Sequence, residues 1–136
     1  MNFLGYYEKR LKLQLLQAEL ESIVADGKAL VIVAEKAGQE VSTASFRIEV
    51  METILVDSFS ILADQANLLK ALNSIRTTAR HVNNELALFY PSFHLPLSNK
   101  TQVNQQHNEW LRSNVPALLK SAEQAQAELK RFLATS

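Results

Sequence analysis

The sequence predicts an all-α fold: an elongated antiparallel bundle of three to four helices with a long central helix. Apolar residues recur at alternating spacings of three and four along most of the chain, which is the period of one helix face. Only 3 glycines and 3 prolines are present. The turns that an all-β chain needs roughly every eight to twelve residues are therefore missing. Two breaks divide the chain into three long segments, and short breaks between amphipathic helices favour antiparallel neighbours.

The first break is Gly38 followed by Ser42, Thr43, Ala44 and Ser45. Glycine just past a helical run is a usual stop, and serine or threonine before the next run is a usual N-cap. The second break spans Tyr90 to Asn99 and contains Pro91 and Pro96. Prolines so placed disfavour a continuous helix.

The first segment runs from Asn2 to Ala37, with a stripe of Leu13, Leu16, Leu20, Ile23, Leu30, Ala34 and Ala37. Gly27 stands where the next apolar residue is due, so a kink or a stop is expected at Asp26–Gly27. The run Leu30–Val33 would suit a short strand in isolation. Its neighbours are helix formers and no second strand is visible, so it is read as helix.

The second segment has the longest stripe: Met51, Ile54, Ser58, Ile61, Gln65, Leu68, Leu72, Ile75, Ala79, Val82, Leu86 and Phe89. All are apolar except Ser58 and Gln65. Ile48, Leu55, Leu62 and Leu69 widen the face enough to suit two neighbours rather than a coiled-coil seam. Unbroken from Thr43 to Tyr90, this helix would be roughly 70 Å long at 1.5 Å per residue. Two outcomes stay open. It bends near Asn73–Ser74 and folds back into a monomeric four-helix bundle, or it projects and forms the centre of a homodimer.

The third segment starts near Lys100, opened by an Asn99/Gln102 capping box. Its stripe is Leu111, Val115, Leu118, Ala122, Ala125, Leu129 and Phe132. Proline is tolerated in a first helical turn but not deeper. Ser113 or Asn114 is therefore expected to cap a fresh helix before Pro116.

At 136 residues, residues 1–136 are expected to form one domain. The 47% hydrophobic and 21% charged content is ordinary for a globular chain. The 14 basic and 14 acidic side chains cancel. That argues against a dedicated duplex-DNA binder and leaves room for a local basic patch. No cysteine is present, which excludes disulfides, thiolate metal sites and cysteine nucleophiles. The opening residues Met1–Glu8 lack the basic and apolar regions of a signal peptide. The uncharged stretch around the two prolines is too short to span a bilayer. A cytoplasmic location is expected.

The histidines are His81, His94 and His107. None follows an acid by three residues, so the Glu-x-x-His pairs of di-iron bundles are absent, as is His-Glu-x-x-His. Asp57 and Asp64 lie seven apart, outside the apolar stripe, and read as a solvated face. Glycines at 5, 27 and 38 supply no phosphate-cradling loop, and no Gly-x-Ser-x-Gly elbow occurs. No metal and no cofactor is expected.

One arrangement carries possible chemistry: Arg76-Thr77-Thr78-Ala79-Arg80-His81. Arg, four residues, then His resembles the signature of HEPN-domain ribonucleases, small helical proteins that commonly dimerise. The resemblance implies metal-independent RNA cleavage at a dimer interface. Arg76 would stabilise phosphate charge and His81 would transfer protons. Thr77 stands where that family most often has Asn. His81 also resembles the exposed histidine of phosphotransfer bundles, but Val82-Asn83-Asn84-Glu85 replaces the Lys and Gly that follow it there. The other reading of the segment is a solvated basic turn with Lys70, Arg76 and Arg80.

Two surfaces stand out. Phe3, Leu4, Tyr6, Tyr7 and Leu11 lie beside Lys9, Arg10 and Lys12, either as a basic amphipathic helix for a membrane or groove or as a core helix with snorkelling cations. The latter is the expectation. The proline loop concentrates Tyr90, Phe93 and His94, with Trp110 in the next helix. These residues are either a rigid contact surface or a plug at the bundle's end.

The expected function is a non-enzymatic, self-associating helical adaptor acting on an unidentified protein partner, with nucleic acid less favoured. The alternatives are the ribonuclease using Arg76 and His81, and a small-ligand binder with an apolar pocket near Trp110.

Overall fold

A computed structural model describes residues 3–35, 45–57, 59–89 and 97–135. Its elements are α1 (Phe3–Ala34), α2 (Glu49–Asp57), a 3-10 turn (Phe59–Leu62), α3 (Ala66–Phe89) and α4 (Leu97–Thr135). The described residues contain no strand, and the all-α bundle is borne out.

The helices pack antiparallel to their chain neighbours. Glu19 of α1 meets Val50 and Met51 of α2, while Gly5 and Glu8 border a groove with Ile61 further down the chain. Glu52 of α2 meets Arg80 of α3, and Ser74 of α3 meets Ser121 of α4. Gly27 and Lys28 of α1 face Leu119 and Glu123 of α4, while Lys9 lies over the Phe132 ring. The long central helix is α4, at 39 residues, packed along both α1 and α3. The 9-residue α2 sits between α1 and α3.

All three stripes line one continuous core. Leu16, Leu20, Ile23, Leu72, Ile75, Val82, Val115 and Leu129 are fully buried, and so are the alanines Ala34, Ala79, Ala122 and Ala125. Phe132 and Trp110 are half-buried against it.

The second segment is not one helix. It breaks between Asp57 and Ala66, and Gln65, one of the two polar positions of its stripe, borders the break. The bend expected near Asn73–Ser74 does not occur there, because α3 runs straight through. At the break the Gln65 amide donates to Leu62 O at 2.9 Å, and the Gln65 carbonyl accepts the first α3 bond, from Leu69 N at 2.9 Å. Asp57 ends α2 and Asp64 lies in the following turn, so the two acids share no helix face.

Two expected interruptions are absent. α1 passes through Gly27 without a stop. That glycine is buried, and an added Cβ would lie 2.6 Å from Leu119 Cδ2. It is a notch that lets α4 approach, not a hinge. α4 likewise runs through Pro116. Proline there leaves the Arg112 carbonyl without its helical donor. In the turn before it, Ser113 Oγ donates to Glu109 O at 3.0 Å and Asn114 Nδ2 donates to Trp110 O at 2.7 Å. The side chains expected to cap a new helix instead bond backward within a continuous one. α4 also opens at Leu97, so Asn99 stands inside its first turn rather than at a cap.

Candidate interaction surface

The chemistry-bearing residues are best placed element by element. Arg76 and Arg80 stand one turn apart on α3, toward α2. Arg80 Nε and Nη2 donate to Glu52 Oε1 and Oε2 at 3.1 and 2.9 Å, a two-pronged pair. That hydrogen bond, with the nearby charges of Arg80 and Arg76, holds the Glu52 carboxyl below its usual range. His81 is exposed. Five helical residues turn through about 140° relative to Arg76 at 3.6 residues per turn. Within one chain, then, Arg76 faces α2 while His81 faces away from it.

His107 and Asn108 are buried on α4, 4% and 0% exposed, and both are engaged within the fold. Among the described residues no group of three or more His, Asp or Glu side chains could hold a metal ion. Of the proline-loop candidates, Tyr90, Phe93 and His94 lie outside the described residues. Trp110 packs against the core from α4.

Sequence reading missed two polar clamps. The first is Glu19. Its Oε2 accepts Met51 N at 2.8 Å and its Oε1 accepts Val50 N at 3.0 Å. These amides belong to the first turn of α2, where no intrahelical acceptor exists. Ile48 occupies the cap position and has no side chain able to serve, so a carboxylate 31 residues upstream caps the helix. The cap expected at Ser42–Ser45 is thus supplied from α1. Burial pushes the Glu19 carboxyl above its usual range, with the charge of Glu49 adding to the rise and the donated backbone hydrogen bonds opposing it. The second clamp is Asn83 of α3. Its Oδ1 accepts Phe46 N at 2.8 Å and its Nδ2 donates to Phe46 O at 3.0 Å, fixing the extended strip before α2.

The outer face of α1 is the unusual surface. Tyr7, Leu11, Leu15 and Ile32 are 65%, 47%, 50% and 60% exposed. Between them Ala18, Ser22, Ala25 and Ala29 are exposed as well. Leu11, Leu15, Ala18, Ser22, Ala25, Ala29 and Ile32 are spaced alternately four and three apart, a second stripe opposite the core stripe. The apolar N-terminal residues expected in the core therefore include two, Tyr7 and Leu11, that lie on the surface. Lys9 does pack its charge over an aromatic ring, 5.5 Å from the Phe132 centroid. Open grooves of about 270 to 350 Å³ run along this half of α1, one lined by Tyr7, Arg10, Leu11 and Gln14.

The other long helices behave differently. Exposed positions of α3 are Ala66, Asn67, Lys70, Asn73, Ser74, Thr77, Arg80, His81, Asn84 and Ala87, mostly polar. Those of α4 include Arg112, Ser113, Lys120, Glu123, Gln124, Lys130 and Arg131. Among the described residues neither helix exposes a large hydrophobic side chain, and the one outside α1 is Val56 of α2. No helix among the described residues is long and apolar enough to cross a membrane. The chain matches no protein-family model, no curated protein and no solved structure.

Proposed function

We propose that this protein is a non-enzymatic helical interaction module that self-associates and acts by binding another macromolecule. The observation that carries this reading is the outer face of α1. A helix on the surface of a bundle ordinarily has a polar outer face. Helices α3 and α4 of the same chain follow that rule and α1 does not. An exposed face of apolar and small residues, with Ser22 its one polar member, suits a surface that another protein covers. The homodimer centred on the second segment is replaced by one centred on α1, because the apolar stripe of α3 is buried against its own chain.

Sedimentation equilibrium of the purified chain, from about 1 to 100 µM, tests this, since self-association responds to concentration by mass action. A mass of two chains is expected at the upper end. A mass of one chain throughout overturns the reading.

A further inference from the structure

We infer that the outer face of α1 pairs antiparallel with the same face of a second copy, about a two-fold axis passing between Ser22 and Ala25. This deepens, and rests on, the self-association proposed above. Three observations choose the occupant and its direction.

The first is area. In this register the face overlaps from Leu15 to Ile32, about 26 Å at 1.5 Å per residue, on a helix about 10 Å across. Two such faces pressed together bury on the order of 700 Å², the size of a weak, concentration-dependent interface.

The second is shape. In an antiparallel pair with this axis, Ser22 meets Ala25 of the partner subunit and Ala18 meets Ala29 of the partner subunit. Leu15 meets Ile32 of the partner subunit. Small residues at the centre let the backbones approach, and bulky residues close both ends over them.

The third is charge. One edge of the face carries Arg10, Glu21, Lys28 and Glu35, the last three at strict seven-residue spacing. Their signs alternate. Reversed against itself, this edge sets Arg10 beside the partner's Glu35 and Glu21 beside the partner's Lys28, twice over by symmetry. Along this edge each of these charges meets its opposite. In a parallel pair this edge would instead face the other edge of the partner helix, setting Glu21 beside Asp26 of the partner subunit, like charge against like. The intrachain contact of Lys28, to Glu123 at 4.0 Å with both side chains more than half exposed, is loose enough to coexist with this pairing.

The test uses the full chain, and every substituted residue except Lys28 is on the exposed face or edge without a core contact. Ala25→Arg should abolish the dimer in sedimentation while leaving the helical signal unchanged. Glu21→Lys should weaken dimerisation about tenfold, by turning two attractive pairs repulsive. Adding Lys28→Glu to it should restore affinity. Because the chain lacks cysteine, direction can be read by oxidation. A mixture of Ser22→Cys and Ala25→Cys chains should form the mixed disulfide. Ile32→Cys alone should not cross-link, since the two copies lie about 25 Å apart along the axis and a disulfide needs Cα atoms within about 7 Å. A dimer that survives both Ala25→Arg and Glu21→Lys overturns the α1 face while self-association stands. Ready cross-linking of Ile32→Cys overturns the antiparallel arrangement. A monomeric parent chain overturns both readings.

Discussion

Replacing Glu19 removes the acceptor of two amides at the start of α2, and the cost can be worked from the geometry. Val50 N and Met51 N lie 3.0 and 2.8 Å from its carboxylate, and the Met51 bond is buried. Loss of a helix cap costs about 1 kcal/mol, and a buried amide left without an acceptor about 1–3 kcal/mol. These describe one event, so Glu19→Ala should destabilise the fold by about 2 kcal/mol. Glu19→Gln keeps the volume and one acceptor and should cost about 1 kcal/mol or less near neutral pH. The pH dependence separates the two effects. Burial raises the folded pKa of Glu19 above its ordinary 4.5. The folded state then holds the proton more tightly than the unfolded state. The resulting stability is fully present below pH 4.5 and is lost as pH rises through the folded pKa. Glu52, held low by Arg80, acts in the opposite sense: its contribution is present above 4.5 and lost below, as pH falls through its folded pKa. Urea unfolding followed by circular dichroism from about pH 4 to 7 should show the parent's advantage over Glu19→Gln shrinking as pH rises. The Glu52 contribution is common to both chains and cancels in the difference. An advantage that is flat or grows with pH refutes the raised pKa and leaves the cap standing, whereas a Glu19→Ala chain within about 0.5 kcal/mol of the parent refutes the cap.

Other perturbations follow from the same contacts. Gly27→Ala gains about 1 kcal/mol of helix propensity but drives a Cβ to 2.6 Å from Leu119 Cδ2 and 3.1 Å from its Cγ, which strains the whole side chain. A net loss of about 1 kcal/mol is expected in urea unfolding, and repeating the change in a Leu119→Ala background should turn it into a gain. Pro116 is exposed inside α4, so Pro116→Ala removes a helix-interior penalty without a core cavity and should stabilise by about 1–3 kcal/mol; a lower melting temperature would show that the proline shape is needed for packing. The non-enzymatic reading expects no RNA turnover by the purified chain, and cleavage abolished by Arg76→Ala and His81→Ala would replace it with the ribonuclease reading. If the α1 face contributes to stability through association, a hundredfold rise in protein concentration should raise the melting temperature by about 5 °C, whereas an unchanged value denies that contribution.

The core was legible because burial acts on the period of the sequence, and nearly every described stripe position is buried. The break after Asp57 was legible in part, in the polar Ser58 and Gln65 of an otherwise apolar stripe. Three features escaped because their cause is tertiary. Gly27 reads as a stop until Leu119 is seen against it. Pro116 reads as an N-terminus until the packed stripe on either side is seen to hold one helix together. The Glu19 cap joins residues 31 and 32 apart in sequence. One signal was available: Glu19 lies three after Leu16 and four before Ile23, a lone carboxylate beside the core stripe, and such a group needs a buried donor. The proline-loop residues Tyr90, Phe93 and His94 lie outside the described residues.

The second stripe of α1 is not a by-product of the short α2. Helix α2 meets α1 at Glu19, about 100° around the helix from Ala18 at 3.6 residues per turn. Lengthening α2 would cover more of that flank and leave Ala18, Ser22 and Ala25 exposed. Those positions point away from the core stripe. Nor does the core require them apolar, since outward positions of α3 and α4 include Lys70, Thr77, Ser113 and Lys120. A helix with charges confined to its edges, alternating in sign, and a bare centre of alanine and serine is what the proposed pairing requires of α1. Among possible occupants, a reversed copy of the same helix satisfies the edge charges without adding a group the chain does not already carry.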